Sequence, residues 1–213
     1  LEQRKGQLIF SGVGKSGFIG RKIASTFASL GLRSFFLHPV EALHGDLGRA
    51  KKEDTIVLIS KSGTTEEIMK LIPFLPIPKE RRIGLLGDLE SPISKECLVT
   101  LDCSVEKEAC LNNQAPTTSS TLALAMGDAL AVLYEKMIGL SKEGFAFNHP
   151  GGILGKSLRM KVEDLMISIH DCPQCPTETS LQDVILSMTE NPIGACAILG
   201  ENNALRGIVV DGD

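Results

Sequence analysis

The chain has 213 residues, of which 23% are charged and 43% hydrophobic, an ordinary composition for a soluble globular protein. Its formal net charge of −4 argues against non-specific nucleic-acid binding, because that function needs a basic surface. No apolar run is long enough to span a bilayer, and the first ten residues do not resemble a signal peptide. We therefore expect a cytoplasmic protein with neither a nucleic-acid nor a membrane partner.

The first 140 residues alternate between strand-like and helix-like patterns. Short, continuously apolar runs predict five strands, at 7–11, 34–38, 55–60, 82–87 and 98–103. Apolar side chains at helical spacing predict helices at 15–30, 64–75 and 119–139. Pro73 and Pro76 are expected to disturb or end the second of these helices, because proline removes a backbone donor.

This alternation predicts an α/β fold with three layers, α/β/α, over residues 1–162. Strands that are apolar on both faces are typical of a parallel sheet covered by helices on both sides. We expect a doubly wound, five-stranded parallel sheet of order 2-1-3-4-5.

The composition changes after residue 162. Residues 170–180 are rich in Pro, Cys and Thr, which is typical of a linker. A predicted helix at 181–191 and two predicted strands at 194–200 and 205–213 follow. This helix–strand–strand fragment is too small to be stable alone, so we expect it to be part of a second domain over residues 163–213.

The six cysteines do not form a disulfide or zinc pattern. Four of them are dispersed through apolar or strand-like segments, which favours reduced thiols. Cys172 and Cys175 have the spacing of a metal-binding pair, with His170 nearby, but a structural zinc site needs four ligands and no second pair exists. The linker interpretation is preferred for them.

The first motif is SGVGKSG, at 11–17, between the first strand and the first helix. Its Gly-Lys-Ser resembles the end of a nucleotide P-loop, but that motif needs a glycine where this chain has Ile9. Its glycine spacing also fits a dinucleotide fold, but the second strand does not end on the acidic residue that holds the ribose. A tight strand-to-helix turn and a dinucleotide site remain as weakly supported alternatives.

The second motif is SKSGTTEE, at 60–67, after the third strand. Its hydroxyls and glycine cluster before a predicted helix, where backbone N–H groups and the helix dipole favour an anion such as a phosphate. Thr64 and Glu67 also have the spacing of a capping box, so helix capping is an equal alternative. In the predicted strand order, this loop and the first motif border one crevice, where such sheets bind ligands.

These two loops resemble the phosphosugar signature of sugar isomerase (SIS) domains. A wider set of motifs is similar to the D-arabinose-5-phosphate isomerases of that family, in order and with compatible spacing over residues 8–166. The motifs are GVGKSGFIGRKIASTFASLG (12–31), HPVEALHGDLG (38–48), KEACLNNQAPTTSST (107–121), MGDALA (126–131) and FNHPGGILGKSL (147–158). The tail resembles the beginning of a cystathionine-β-synthase (CBS) domain. Lys61 stands where the family commonly has Asn, so the charge near the phosphate differs.

The resemblance implies reversible conversion of D-ribulose 5-phosphate to D-arabinose 5-phosphate through a cis-enediolate, which feeds synthesis of the sugar acid Kdo for lipopolysaccharide. This scheme requires no redox cofactor and no obligatory metal. The resemblance also implies a homotetramer and, in a completed CBS region, a nucleotide ligand. A non-catalytic phosphosugar sensor and an SIS isomerase for another sugar phosphate, such as sedoheptulose 7-phosphate or a hexose phosphate, are the alternatives.

Four residues are candidates for catalysis. Lys15 suits the enediolate or the phosphate, because a lysine at a helix N-terminus is unfavourable unless it meets an anion, although a solvated lysine is the alternative. The resemblance implies that Glu67 and Glu108 are both candidate bases and that His149 helps to open the sugar ring, either in its own subunit or across a subunit boundary. Without the resemblance, Glu108 reads as an exposed loop charge and Glu67 as a helix cap. His44 is a candidate ligand of the substrate or of an inhibitory metal. The remaining substrate-binding candidates are Gly14, Ser16, Ser60, Ser62, Gly63, Thr65, Thr117 and Ser119, although ordinary N-capping explains at least one hydroxyl of 117–120.

Overall fold

The computed structural model describes residues 6–152, 155–157 and 160–212. Three positions of the motif around His149 (Ile153, Leu154 and Leu158) and the last residue of the last predicted strand, Asp213, lie outside the described residues. The chain divides into two compact units, Leu1–Leu158 and Arg159–Asp213. In the part of the chain that is described, no helix is long and apolar enough to cross a membrane.

The first unit contains one five-stranded sheet, and every neighbouring pair of strands in it is parallel. The strand order is β2-β1-β3-β4-β5, which confirms the predicted topology. The strands are β1 (Leu8–Gly12), β2 (Ser34–Phe36), β3 (Thr55–Ser60), β4 (Arg82–Leu86) and β5 (Val99–Asp102).

Helices cover both faces of this sheet, so its buried strands are apolar on both sides. One face packs a core that includes Ile9, Leu58 and Ile68, and the other packs a core that includes Phe10 and Phe27. The α-helices of the unit are α1 (Gly14–Ser29), α2 (Pro39–Leu43), α3 (Glu66–Leu71), α4 (Pro92–Lys95), α5 (Thr118–Ile138) and α6 (Lys142–Phe147).

Two features of the helices have clear physical causes. The α3 helix ends at Leu71 and a 3₁₀ turn over Ile72–Phe74 follows, as expected for a helix that meets Pro73. The α1 and α5 helices pack closely, since a Cβ atom at Gly127 would lie 2.2 Å from Cδ1 of Ile23. This close approach holds the start of α5 on the same side of the sheet as α1.

Over its described residues, 160–212, the second unit forms a three-stranded sheet with one α-helix. Its elements are β6 (Gln174–Pro176), α7 (Leu181–Glu190), β7 (Ala195–Leu199) and β8 (Leu205–Val210). The strand order is β6-β7-β8, with β6 parallel and β8 antiparallel to β7.

The linker prediction for residues 170–180 is wrong in its central part. Residues 174–176 form β6, and Cys175 is buried in a small core with Val184 and Cys196. A three-residue strand paired with a later strand has no periodicity of its own, so the composition alone favours a linker. The side chain of Cys175 therefore packs the unit.

Candidate functional site

A crevice of about 280 Å³ opens at the carboxyl ends of β1 and β3. The strands lie side by side, with Gly12 opposite Ile59, so the loops that follow them diverge at this point. The start of α1, the loop after β3 and the start of α5 all contribute to the walls. The polar side chains that line the crevice belong to Lys15, Ser16, Ser60, Lys61, Ser119 and Ser120.

The first wall is the start of α1, which follows the glycine-rich turn. Gly14 has φ +58°, a left-handed conformation that favours glycine. The N-cap residue of α1 is Val13, which offers no side-chain cap, and the first turn holds no acidic residue. Among the described residues, the N-cap side chain therefore gives the backbone N–H groups of this turn no partner at this wall of the crevice. The Lys15 side chain is exposed and its ammonium lies 5.7 Å from the centre of the Phe18 ring.

The second wall is the loop after β3. The Ser60 hydroxyl is buried, lies 2.8 Å from the Thr65 hydroxyl and accepts a 3.0 Å hydrogen bond from the Gly63 N–H. The predicted capping box of Thr64 and Glu67 is not formed. The N-cap of α3 is Thr65, and its side chain makes no cap hydrogen bond because its hydroxyl is turned toward Ser60.

Two glycines fix this loop against its neighbours. Gly63 has φ +64°, and a Cβ atom there would lie 2.0 Å from Oγ of Ser91. The Gly63 carbonyl accepts a 3.1 Å hydrogen bond from the Ile93 N–H. A Cβ atom at Gly87 would lie 2.4 Å from the carbonyl oxygen of Lys61. The backbone that carries Lys61 is therefore held in place by packing on two sides.

Glu108 is buried beside the third wall, with only 3% of its surface exposed. Oε2 accepts hydrogen bonds from the Thr117 N–H (2.8 Å), the Thr117 hydroxyl (3.2 Å) and the Ser119 N–H (3.1 Å). Oε1 accepts a 2.5 Å hydrogen bond from the Ser119 hydroxyl. The interpretation of Glu108 as an exposed loop charge is therefore wrong.

The Glu108 carboxylate also caps the N-terminus of α5. Thr117 is the N-cap residue, but its side chain makes no cap hydrogen bond. Glu108 accepts the N–H groups of Thr117 and Ser119 instead. A negative charge at this end of a helix is also favoured by the helix dipole.

Lys61 forms an ion pair with Glu108, with 2.7 Å between Nζ and Oε1. The lysine side chain is half exposed while the glutamate side chain is fully buried. The Lys61 ammonium, followed by the Ser119 hydroxyl, holds the pKa of Glu108 well below its usual range, although burial opposes this. Glu108 is therefore ionised at neutral pH. In the sequence, Lys61 is notable only because it departs from the family pattern. No sequence pattern indicates that Lys61 pairs with Glu108.

Some predicted site residues do not line the crevice of the described chain. Glu67 is half-buried on α3, and His44 is exposed at the end of α2. His149 stacks on the Phe145 ring with 4.0 Å between ring centres, and its Nδ1 lies 2.8 Å from the Phe145 carbonyl oxygen. Because a carbonyl only accepts, Nδ1 carries a proton in this contact, and in the neutral tautomer with that proton Nε2 is the acceptor.

No group of three or more His, Cys, Asp or Glu side chains is arranged to hold a metal ion within the described residues. His44 has no such cluster around it there. The polar groups of the crevice are instead cations, hydroxyls and backbone N–H groups, which are typical of a site for an anion.

Comparison with curated proteins gives close relatives over nearly the whole chain. The arabinose 5-phosphate isomerase KdsD of Pseudomonas aeruginosa is 46% identical over 209 residues, which is 98% of this chain. The enzyme of the same name from Escherichia coli K12 is 44% identical over 209 residues. The chain spans 64% of the length of each of these relatives.

Comparison with solved structures gives the same fold. The Escherichia coli CFT073 protein c3406, in complex with arabinose 5-phosphate, superposes with a TM-score of 0.67 and 38% identity. The match covers 70% of this chain and 80% of that protein. The family model for the SIS domain matches residues 1–133, which include both crevice loops, Glu108 and the start of α5. The chain therefore belongs to the SIS domain family.

Proposed function

We propose that the chain interconverts D-ribulose 5-phosphate and D-arabinose 5-phosphate through a cis-enediolate. The observation that carries this proposal is the crevice at the switch point, which Lys15 and Lys61 line, with the ionised Glu108 paired to Lys61, in a chain 46% identical to an arabinose 5-phosphate isomerase. The solved relative in complex with arabinose 5-phosphate supports a five-carbon sugar phosphate as the ligand.

The phosphate group is the part of this substrate that the walls suit best. Two lysine side chains, the hydroxyls of Ser16 and Ser60 and the uncapped N–H groups of α1 all border the same space. Charge-assisted hydrogen bonds of this kind are about twice as strong as neutral ones. We place Gly14, Ser62, Gly63 and Thr65 in the supporting shell of this phosphate site, and Thr117 and Ser119 beside the sugar hydroxyls.

The reaction moves a carbonyl from C2 to C1 and needs no external oxidant. A base removes a proton from C1 of ribulose 5-phosphate, the resulting enediolate carries negative charge on oxygen, and a proton returns at C2. Lys15, an exposed cation at the crevice, stabilises the charge that develops in this step. The scheme uses neither a redox cofactor nor an obligatory metal.

Glu67 and Glu108 are the two proposed bases. Glu108 is in the ionised state that a base requires, but its two oxygens already accept five donors, three at Oε2 and two at Oε1. One of the two donors on Oε1 must leave before that oxygen takes a carbon proton, since a carboxylate oxygen offers two lone pairs. Glu67 carries no such set of partners among the described residues, but it reaches the substrate only if the crevice extends toward α3.

His149 is proposed to open the furanose ring of arabinose 5-phosphate as an acid/base catalyst. Its Nε2 is the acceptor that this role requires, because Nδ1 is committed to the Phe145 carbonyl. Since His149 does not line the crevice of its own chain, we propose that it serves the crevice of a neighbouring copy in a homotetramer. His44 is kept as a candidate ligand for the substrate or an inhibitory metal.

For the whole protein we propose an SIS domain over residues 1–162 and part of a CBS domain over 163–213. A nucleotide is the proposed ligand of a completed CBS region. Production of arabinose 5-phosphate for Kdo and lipopolysaccharide is the proposed role of the enzyme.

The proposal is tested by incubating the protein with ribulose 5-phosphate and following the sugar signals by NMR. We expect arabinose 5-phosphate to accumulate toward an equilibrium ratio, and the Lys70→Met variant to behave like the parent because Lys70 is outside the crevice lining. Binding of the sugar phosphate without any change in this ratio would favour a phosphosugar sensor. Turnover of a hexose phosphate or sedoheptulose 7-phosphate alone would place the chain among the other SIS isomerases.

A further inference from the structure

The Lys61 ammonium has N–H donors that its ion pair with Glu108 does not use. The ammonium carries three N–H donors, and its recorded partner among the described residues is Oε1 of Glu108. Its side chain is half exposed, and it lines the crevice that also holds Lys15. Two donors of Lys61 therefore remain for a ligand that enters this space.

Glu108, in contrast, does not depend on Lys61 to satisfy its oxygens. Thr117 and Ser119 already supply four donors from backbone and hydroxyl groups. Oε2 keeps its three donors and Oε1 keeps the Ser119 hydroxyl when the lysine leaves. The buried carboxylate thus remains hydrogen-bonded at both oxygens without Lys61.

The backbone that carries Lys61 is held by its neighbours, so the exchange needs only a movement of the lysine side chain. Gly87 packs against the Lys61 carbonyl and donates its N–H to the Ser60 carbonyl at 3.2 Å. The lysine stem is a flexible chain of four carbons, which lets the ammonium swing while its Cα stays in place.

We propose that Lys61 exchanges its resting partner, Glu108, for the phosphate group of the bound ligand. When paired with Glu108, the ammonium neutralises the buried carboxylate, and in the complex with phosphate it binds the anion beside Lys15. The exchange also removes one of the two donors on Oε1 of Glu108, which frees a lone pair of that oxygen when the ligand is bound. This inference rests on the proposed function of the crevice as a sugar-phosphate site.

The proposal makes Glu108 and the ligand phosphate competitors for one cation. Because both bind the Lys61 ammonium, Glu108 weakens phosphate binding and phosphate weakens the ion pair with Glu108 to the same extent. Replacing Glu108 with Gln releases Lys61, so we expect inorganic phosphate to bind about fivefold tighter or more. Removing a negative charge near the anion also contributes to any such gain in affinity. A double-mutant cycle is therefore needed to measure the part of the gain that comes from releasing Lys61.

The experiment is titration calorimetry with inorganic phosphate on the parent chain and on the Glu108→Gln, Lys61→Met and doubly substituted variants. We expect Lys61→Met alone to weaken phosphate binding about tenfold, in line with the loss of one charge-assisted hydrogen bond. We expect the gain from Glu108→Gln to disappear when Lys61 is also Met. A gain of equal size in both backgrounds would overturn the proposal.

Two further variants keep the test decisive if Glu108→Gln does not fold. Lys61→Arg retains the charge and should retain most of the phosphate affinity, whereas Lys70→Met removes an ion-paired lysine outside the crevice lining and should leave affinity unchanged. Unchanged affinity in Lys61→Met would overturn the proposal. Phosphate binding is independent of turnover, so a chain that binds as expected but does not isomerise ribulose 5-phosphate contradicts the proposed function and leaves this inference standing.

Discussion

Ser119 donates both its backbone N–H and its hydroxyl to the carboxylate of Glu108, at 3.1 Å and 2.5 Å. Two residues that are 11 positions apart thereby join a long loop to the first turn of α5. The same carboxylate holds Lys61 from the loop after β3. Glu108 is therefore the point at which two walls of the crevice are connected.

Removing the Ser119 hydroxyl is expected to weaken this connection. We predict that Ser119→Ala lowers the free energy of unfolding by about 1–3 kcal/mol, because a hydrogen bond to a buried charge is lost. Denaturant unfolding measures the effect. The matched control is Thr121→Ala, whose exposed hydroxyl donates to a backbone carbonyl one turn away. We expect that control to stay within about 0.5 kcal/mol of the parent, and an equal loss in both variants would contradict the account.

The pH dependence of stability follows from the low pKa of Glu108. Lys61 and the Ser119 hydroxyl depress this pKa in the folded chain, while the unfolded chain has a pKa near the ordinary 4.5. The contribution of the ionised carboxylate is fully present above the unfolded value and is lost as the pH falls toward the folded value. We therefore predict that, as the pH falls below about 4.5, the parent loses stability more steeply than Glu108→Gln does.

Denaturant unfolding at a series of pH values checks this prediction. Glu66→Gln is the control, since Glu66 also pairs with a lysine but is exposed on α3. The pair of Glu66 with Lys70 is screened by solvent, so its removal should leave the slope nearly unchanged. If the parent and Glu108→Gln have parallel pH profiles, Glu108 is not the ionised group that the structure indicates.

The conformation of the loop after β3 depends on Gly63. A Cβ atom at this position meets Ser91 at 2.0 Å, and the φ of +64° is unfavourable for alanine. We predict that Gly63→Ala destabilises the fold by about 1–2 kcal/mol from the backbone conformation alone, with the overlap adding to it. Gly48→Ala is the control, because a Cβ atom there has nothing within 4 Å. Thermal unfolding compares the two variants, and equal midpoints would show that the loop tolerates a side chain.

The strands of the first unit and their parallel arrangement could be predicted from the sequence. Strands such as β1 and β3 are buried on both faces, so their apolar runs are continuous and the alternation with helices specifies a parallel sheet. The strand order then places the two polar loops beside one crevice. The sequence therefore predicts where ligands bind before any side-chain contact is known.

The contacts of Glu108 and Lys61 could not be predicted in the same way. Glu108 lies in a loop without periodicity, and its burial depends on donors that follow it by 9 and 11 residues. Its partner Lys61 precedes β4 and β5 in the chain, whereas Glu108 follows them. Local patterns carry no information on such pairs, and for the same reason the composition around β6 favours a linker.

His149 is expected to be required for turnover of arabinose 5-phosphate. We predict that His149→Ala slows isomerisation about 100-fold or more, because general acid–base catalysis commonly contributes that much. The fold should persist, since the histidine is only half-buried. His170→Ala, which changes an exposed histidine of the second unit, should keep the parental rate. Parental turnover by His149→Ala would exclude the proposed ring-opening role.

The most direct test of the proposed reaction is incubation of the protein with ribulose 5-phosphate in D₂O, read by NMR. An enediolate that exchanges its proton with solvent predicts arabinose 5-phosphate carrying deuterium at C2, and Lys15→Met should form it far more slowly. Recovery of ribulose 5-phosphate unchanged and without deuterium at C1 would contradict the account, because neither the carbon base nor the isomerisation would then be present.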